Sequence, residues 1–311
     1  MVSASKRNTV DMIVESVLSL IGDTPLVNLR HVTGENILAK AEYLNPGGSI
    51  KDRVALHMLN QAEARGDLRP GMTIMEPTSG NTGIGIALVG VQKGYRVVIV
   101  MPENMSSERK KIIRALGAEL ILTPAEESIP GSVDEVDRRR ADDPNIYVPQ
   151  QFENPDNPAA HYLSTGPEIW AQADGRVDAF VSGLGSGGTL QGCAQYLMER
   201  NPDVHIVAVE PDGVSALLGD EPGLHQIQGI GDGFVPAVLD VSIVNEVITV
   251  TDDDAFETAR MLARGQGVLV GTSAGANVWA AMQIAKKLGP DARILTVLPD
   301  RVERYFSTAL I

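Results

Sequence analysis

Apolar, β-branched runs alternate with segments of helical periodicity along most of this 311-residue chain. Strand–helix alternation predicts parallel sheets with right-handed crossovers, and runs such as Val97–Val100, apolar on both faces, are typical of buried parallel strands. The predicted strands are Ile37–Glu42, Thr73–Glu76, Arg96–Met101, Glu119–Thr123, Ala179–Ser182, His205–Glu210, Glu246–Val250 and Arg293–Leu298. The predicted helices are Val54–Arg65, Gly83–Lys93, Ser107–Leu116, Pro158–Gln172, Thr189–Arg200, Asp252–Arg264 and Gly275–Leu288.

The chain is long enough for two α/β lobes that share a cleft. We predict a smaller lobe over residues 46–150 and a larger lobe formed by 1–45 plus 151–311, with no low-complexity linker between them. The charged segment 126–143 contains Pro130-Gly131. It is interpreted as a surface helix and turn, although a mobile lid would have the same composition.

Composition excludes several classes of protein. The formal net charge of -14 argues against a nucleic-acid binder, which normally carries a basic face. The single cysteine, Cys193, allows no intrachain disulfide and is predicted to be a small buried residue. We expect a cytoplasmic protein, because the sequence shows neither a signal-peptide pattern nor a membrane-spanning apolar stretch. His57, His161 and His205 have no metal-ligand spacing, so no metal site is expected.

Lys51 lies in a glycine-rich stretch, Asn45–Arg53, that runs into a predicted helix. The helix dipole and the adjacent Arg53 disfavour a second positive charge, so we expect the pKa of Lys51 to be lowered. Such a lysine is a nucleophile, and its usual partner is the carbonyl of a cofactor. Taken alone, the residue favours a solvated side chain, since most lysines face solvent.

The loop Gly183–Thr189 follows a predicted strand and opens a helix. Its glycines let backbone N–H groups converge on an anion, and the helix N-terminus adds partial positive charge, which favours a phosphate site. The same glycine spacing matches the dinucleotide fingerprint, with Glu210 where a ribose-binding acid is expected. An NAD-dependent oxidoreductase is therefore an alternative, although the loop follows a complete strand–helix series. A turn that only packs helix on strand is also open.

Two more polar loops follow strands and open helices. Glu76–Gly83 offers hydroxyl, amide and backbone donors without charge, which suits a small carboxylate, although good helix capping has a similar composition. Val270–Asn277 is the third loop. In open α/β sheets such junctions line the ligand crevice. A phosphate loop, a carboxylate loop and one nucleophilic lysine together indicate a pyridoxal phosphate enzyme that acts on an amino acid.

These motifs resemble the cysteine synthase (O-acetylserine sulfhydrylase) family among the fold-type II pyridoxal phosphate enzymes, which also include cystathionine β-synthase. The likeness runs from Ile21–Leu26 to Glu303–Thr308. It implies a tryptophan synthase β-like fold with two lobes of parallel-rich sheets flanked by helices. It also implies a homodimer and, as in some members, binding of serine acetyltransferase.

The family's pattern, carried over to this sequence, implies a role for each motif residue. Lys51 would form the imine with the cofactor, Asn81 would contact the ring hydroxyl, and Ser273 would meet the pyridine nitrogen. The cofactor phosphate would be held by Gly185, Ser186, Gly187, Gly188 and Thr189. The substrate carboxylate would be bound by Thr78, Ser79, Thr82 and Gln151.

The resemblance implies β-replacement on an activated L-serine, O-acetyl-L-serine, with sulfide to give L-cysteine through an aminoacrylate. Asp232 departs from the family, which typically has alanine there; it is either part of a Gly-Asp-Gly turn or a general base for water. A base would make the protein a cysteine (hydroxyl) lyase that releases sulfide. Ala274 and Asn157–Tyr162 lean towards cystathionine β-synthase, whereas Ile227–Gly231 is typical of cysteine synthase. The leaving group, the nucleophile and the direction of flux stay open at this point.

Overall fold

The computed structural model describes residues 13–78 and 80–311. Its strands are β1 (Leu26–Asn28), β2 (Ile37–Lys40), β3 (Thr73–Pro77), β4 (Arg96–Pro102), β5 (Glu119–Thr123), β6 (Ile146–Tyr147), β7 (Ala179–Gly183), β8 (His205–Pro211), β9 (Glu246–Val250) and β10 (Ile294–Val297). They form a six-stranded sheet in the order β1-β2-β10-β7-β8-β9 and a four-stranded sheet in the order β5-β4-β3-β6. The pairings are parallel except for β1, which runs antiparallel to β2.

Helices flank both sheets. They are α1 (Arg30–Thr33), α2 (Lys51–Arg65), α3 (Asn81–Gln92), α4 (Ser107–Ala115), α5 (Ser128–Asp142), α6 (Asp156–Ala160), α7 (Gly166–Gln172), α8 (Gly188–Met198), α9 (Asp252–Gln266) and α10 (Thr272–Leu288), with a π-helical turn, His161–Thr165, between α6 and α7. Short 3-10 turns lie at Val17–Leu20, Glu42–Leu44, Ala125–Glu127, Val241–Ile243 and Val302–Tyr305. The mixed α/β architecture with parallel-rich sheets is as predicted.

Each sheet is buried on both faces, which explains the continuous apolar runs. In β7, Val181 packs with α9 and α10 on one side of the large sheet, while Phe180 packs with α7 and α8 on the other. The small sheet has α2, α3 and α4 on one face and α5, through Val136, on the other. Successive residues of a strand point to opposite faces, so a strand covered on both sides needs an apolar residue at nearly every position.

All eight predicted strands are present, and β1 and β6 were missed because three and two residues are too short to show a pattern. The seven predicted helices are present, but α2 begins at Lys51 rather than Val54, and the predicted helix 158–172 is interrupted by the π-helical turn. In the segment 126–143 the predicted surface helix is confirmed, whereas the turn predicted at Pro130-Gly131 is wrong. Helix α5 continues through Pro130, which lies in its first turn, where the missing N–H has no intrahelical partner to lose.

A buried ionic cluster anchors the start of α2. Arg53 Nε lies 2.7 Å from Glu42 Oε2, and Arg53 Nη1 lies 2.6 Å from Glu168 Oε1. Lys40 Nζ lies 2.6 Å from Glu168 Oε2. Two cations and two anions thus neutralise one another where single charges would be costly. Because Glu42 and Glu168 come from outside the small sheet, the cluster ties α2 to the rest of the protein.

Within the described ranges, no helix is both long and apolar enough to cross a bilayer. Cys193 is buried in α8, as predicted, and burial raises the pKa of its thiol.

Candidate active site

The predicted loops and Lys51 converge on one cleft. Parallel strands of the two sheets end there, and helices α3, α8 and α10 begin there, as expected at the carboxyl edge of α/β sheets. The predicted residues that line the cleft are Lys51, Thr78, Asn81, Thr82, Gln151, Gly185, Ser186, Gly187, Thr189, Asp232 and Ser273. Gly188 lies next to them as the first residue of α8, and Ser79 lies outside the described residues. Ile129 of α5 and Phe152 also line the cleft and were not predicted.

Lys51 is the first residue of α2, and its Nζ donates to Ser186 Oγ at 2.9 Å. Burial lowers the pKa of Lys51 to about 8, and the negative charge of Asp232 opposes that shift. The expected direction is therefore confirmed, but attributing it to Arg53 was wrong. The Arg53 guanidinium is turned away from the cleft and is paired with Glu42 and Glu168.

The phosphate loop is built so that side chains would not fit. A Cβ on Gly185 would overlap the carbonyl oxygen of Gly229, and a Cβ on Gly188 would overlap the side chain of Asn157. Gly187 caps α8 with φ +79°, a left-handed conformation that favours glycine. The loop therefore presents bare backbone and the N-terminus of an 11-residue helix to the cleft, which fits an anion such as a phosphate.

Two side chains behind this loop were not predicted as site residues. Asn157 Nδ2 donates to Ser186 Oγ at 3.1 Å and to the Gln151 carbonyl at 2.8 Å. His161 Nε2 lies 3.2 Å from Thr189 Oγ1. Burial holds the pKa of His161 well below its usual range, so the imidazole is neutral. In the sequence, only the resemblance of the segment Asn157–Tyr162 to cystathionine β-synthase pointed to these two residues. The segment contains no recognisable catalytic or binding motif that would have singled them out.

The second loop presents uncharged donors and acceptors. Thr82 Oγ1 donates to Gln151 Oε1 at 2.7 Å, which joins the start of α3 to the segment that enters α6. Beneath them, the buried carboxylate of Glu76 accepts the backbone N–H groups of Gln150 at 3.2 Å and Gln151 at 3.5 Å. Burial raises the pKa of Glu76 to about 7. Thr78 is also buried here, so the region suits a small carboxylate.

Asn81 and Ser273 meet the cleft at the starts of α3 and α10. Asn81 Nδ2 donates to Asp300 Oδ2 at 2.6 Å, while its Oδ1 is buried without a hydrogen-bond partner among the described residues. Since buried polar atoms are normally paired, this amide has capacity left to hydrogen-bond a bound group. Ser273 is buried and offers a neutral hydroxyl. With the glycine loop, these groups fit a phosphorylated aromatic cofactor.

Asp232 lies between Gly231 and Gly233, whose φ values of +75° and +81° are left-handed. The turn chemistry predicted for Gly-Asp-Gly is therefore present. The carboxylate also lines the cleft: its Oδ2 would lie 3.8 Å from a Cβ placed on Gly185. The surrounding protein raises the pKa of Asp232, and the charges of Lys51 and His225 oppose that rise. Asp232 is nevertheless exposed to solvent.

Glu210 does not face a ligand. Its carboxylate is buried and accepts Ser215 Oγ at 2.5 Å, the Ala216 N–H at 3.0 Å and the Leu217 N–H at 3.2 Å. It stabilises the turn after β8, so the dinucleotide interpretation is wrong. Within the described residues, no cluster of His, Cys, Asp or Glu is arranged to hold a metal ion.

Comparison with known proteins agrees with this geometry. The family model described as "Pyridoxal-phosphate dependent enzyme" matches residues 17–300. A curated cysteine synthase of Staphylococcus aureus (strain Mu50) is 47% identical over 301 residues, which cover 96% of this chain and 97% of that protein. The crystal structure of cysteine synthase from Entamoeba histolytica has a TM-score of 0.94 and 42% identity, covering 100% of this chain and 94% of that one. A hydrogen sulfide-producing enzyme from Fusobacterium nucleatum has a TM-score of 0.90 and 39% identity, covering 94% and 100%. This chain therefore belongs to the pyridoxal-phosphate dependent enzymes, and pyridoxal phosphate is its cofactor.

Proposed function

We propose that this protein catalyses β-replacement on O-acetyl-L-serine with sulfide, giving L-cysteine and acetate. The bond from Cβ to the acetyl oxygen breaks and a Cβ–S bond forms. The observation that carries the proposal is the contact of Lys51 Nζ with Ser186 Oγ at 2.9 Å, inside a cleft lined by uncharged polar and apolar residues and by the carboxylate of Asp232. The Staphylococcus and Entamoeba relatives are both named cysteine synthase.

The positions of the cleft residues support a role for each in holding the cofactor. The backbone of 185–189 and the start of α8 would bind the phosphate, Asn81 would contact the ring hydroxyl, and Ser273 would meet the ring nitrogen. When bound, pyridoxal phosphate supplies the electron sink for bond breaking at the substrate's α-carbon. The Ser273 hydroxyl is neutral, so it does not force protonation of that nitrogen as a carboxylate would. We therefore assign Ser273 the role of favouring elimination over transamination.

Lys51 is the proposed acceptor of the substrate's α-proton. With its pKa lowered to about 8, a useful fraction of the amine is neutral near neutral pH and can accept the α-proton at Nζ. Thr78, Ser79, Thr82 and Gln151 bind the substrate carboxylate. Glu76 keeps the Gln151 backbone in place through its hydrogen bonds.

The test is cofactor uptake followed by a substrate panel. We expect a yellow protein that borohydride bleaches, with the label at Lys51, and no label in a Lys51→Ala variant. The panel crosses serine, O-acetylserine, O-phosphoserine and cysteine with sulfide, homocysteine and water. The highest kcat/KM is expected for O-acetylserine with sulfide. A colourless protein that takes up no pyridoxal phosphate would overturn the proposal.

Asp232 supports a second candidate, release of sulfide from cysteine with water as the acceptor. Its carboxylate lines the cleft and the surrounding protein raises its pKa, as befits a general base. One structural neighbour is named a hydrogen sulfide-producing enzyme. Asp232→Ala should lower sulfide release from cysteine while sparing sulfide consumption with O-acetylserine. If the variant loses both activities equally, or loses neither, Asp232 is excluded as the base. Turnover with homocysteine in the same panel tests cystathionine synthesis.

We also propose that residues 46–150 form the smaller lobe and that residues 1–45 together with 151–311 form the larger one. We further propose that the protein is a homodimer and that it is located in the cytoplasm. The two sheets support the division, since the small sheet uses residues 73–147 and the large sheet uses 26–40 and 179–297. Light scattering measures the mass of the assembly. Binding of a serine acetyltransferase is tested by whether its C-terminal peptide competes with O-acetylserine.

A further inference from the structure

A buried amide behind the cleft joins two of its loops and has no part in the function proposed above. Asn157 is the second residue of α6 and is fully buried. Its Nδ2 donates to the carbonyl oxygen of Gln151 at 2.8 Å and to Ser186 Oγ at 3.1 Å. Both partners line the cleft, one in the region proposed for the substrate carboxylate and the other in the loop proposed for the cofactor phosphate.

The carbonyl oxygen of Gln151 fixes which way round the Asn157 amide lies. A backbone carbonyl can only accept hydrogen bonds, so the amide must turn its NH2 group towards it. That group has two hydrogens, and the second is directed to Ser186 Oγ. The Asn157 amide is therefore a donor to both loops at once.

Asn157 in turn limits what the Ser186 hydroxyl can do. A hydroxyl has one hydrogen to donate and two lone pairs that accept. Ser186 Oγ accepts from Asn157 Nδ2 at 3.1 Å and from Lys51 Nζ at 2.9 Å, so both lone pairs are in use. The hydroxyl hydrogen is left for an acceptor in the cleft, such as a phosphate oxygen beside the glycine loop.

The Asn157 side chain has little room to move away from this position. A Cβ on Gly188 would lie 1.9 Å from Asn157 Oδ1, and a Cβ on Gly192 would lie 2.1 Å from the Pro158 carbonyl oxygen. These two glycines are one turn apart on α8, so α6 lies directly against that helix. Because α8 begins at the phosphate loop, Asn157 is packed on the same helix whose N-terminus faces the phosphate site.

We propose that Asn157 is a positioning residue that couples the phosphate loop to the substrate subsite. Its amide directs the Ser186 hydroxyl hydrogen to the cofactor phosphate, and it holds the Gln151 main chain in a fixed place beside that loop. The inference rests on the roles proposed for Ser186 and Gln151. It adds that one fully buried residue sets how well both the cofactor and the substrate are bound.

The first measurement is cofactor binding, with the 31P chemical shift of the bound cofactor as a second readout. Asn157→Ala lets the Ser186 hydroxyl turn away from the phosphate. We expect the dissociation constant for pyridoxal phosphate to rise about tenfold, as for one weakened hydrogen bond to a charged group. The 31P shift should change, because it depends on the hydrogen bonds that the phosphate accepts. In a Ser186→Ala background, Asn157→Ala should change the dissociation constant less than about twofold and leave the 31P shift in place, since its effect passes through the Ser186 hydroxyl.

The second measurement is turnover at saturating cofactor. Asn157→Ala should raise KM for O-acetylserine about threefold, because the Gln151 main chain loses an anchor, while kcat changes less than about twofold. This rise in KM should persist in the Ser186→Ala background, since it passes through Gln151. A general loss of structure would not divide the two effects in this way.

Asn201→Ala is the matched control. Asn201 Nδ2 donates to the Val177 carbonyl oxygen at 2.9 Å, the same kind of hydrogen bond, but it lies beyond the far end of α8. This variant should unfold at a lower urea concentration while keeping the wild-type dissociation constant, 31P shift and KM. If Asn157→Ala does not fold, Asn157→Val, which fills more of the space and donates no hydrogen bond, takes its place.

The inference is overturned if the alanine or valine variant binds the cofactor with the wild-type constant and 31P shift. It is also overturned if the loss of cofactor affinity is undiminished in the Ser186→Ala background, or if KM for O-acetylserine stays at the wild-type value. Failure of the proposed function has a different signature. The wild-type protein would then take up no pyridoxal phosphate, or would hold it without turning over O-acetylserine, and in the second case the binding measurements still decide the role of Asn157.

Discussion

The buried carboxyl of Glu76 should make stability depend on pH in a specific way. Its pKa is raised from 4.5 to about 7, because burial disfavours the ionised form more than the N–H groups of Gln150 and Gln151 favour it. The folded protein therefore keeps this proton to a higher pH than the unfolded chain. At pH values between the two pKa values, unfolding releases this proton. The unfolding free energy therefore falls as pH rises through that range.

The size of this change in unfolding free energy follows from the size of the pKa shift. One pKa unit corresponds to about 1.4 kcal/mol, so ionisation of Glu76 lowers the unfolding free energy by about 3 kcal/mol across the whole window. Glu76→Gln cannot ionise, and it loses one acceptor oxygen at a cost that does not vary with pH. Between about pH 5.5 and pH 8, the variant should gain roughly 2 kcal/mol relative to the wild type.

The assay is urea unfolding of both proteins at several pH values in this range, with Glu303→Gln as the matched control, because Glu303 is exposed. The control should track the wild type at every pH. A Glu76→Gln difference that stays constant from pH 5.5 to pH 8 would refute the reasoning. So would a variant that loses stability relative to the wild type as pH rises.

The remaining predictions concern the phosphate loop, the ionic cluster and the buried thiol. Gly185→Ala forces a Cβ onto the Gly229 carbonyl oxygen and should weaken cofactor binding at least tenfold, measured by absorbance titration, with the protein still folded. Arg53→Met leaves the buried Glu42 unpaired and should lower the unfolding free energy by about 3–5 kcal/mol, measured by urea unfolding. Cys193 is buried with a raised pKa, so a thiol reagent should label it only on unfolding, as followed by mass spectrometry; fast labelling of the native protein would contradict its burial.

The sequence was sufficient wherever local pattern and chemistry coincide. Buried parallel strands such as β4 are apolar at nearly every position, and glycine loops before helices are visible as composition. The loops around Gly185, Thr78 and Ser273 were therefore found, and their meeting at one cleft follows from parallel-sheet topology.

What was missed depends on contacts that are distant in sequence. Asn157 is an ordinary polar residue in the sequence, and its importance comes from its partners in two loops of the cleft. The lowered pKa of Lys51 was expected, but its cause is burial, which no single segment displays. Arg53 lies two residues after Lys51 in the sequence but points to the ionic cluster, because residues two positions apart on a helix do not share a face.

The π-helical turn His161–Thr165 limits how this stretch of chain can change in evolution. Upstream of it, Asn157 contacts the phosphate loop; downstream, Glu168 pairs with Arg53 of α2. This wider turn takes up about one residue more than an α-helical turn, so removing one residue within it would leave a continuous α-helix and keep Asn157 and Glu168 facing their partners. The same deletion in the α-helical parts on either side would rotate everything after it by about 100°, and either Asn157 or Glu168 would lose its partners. A change of length by one residue can therefore be tolerated within His161–Thr165 and not elsewhere between these two contacts.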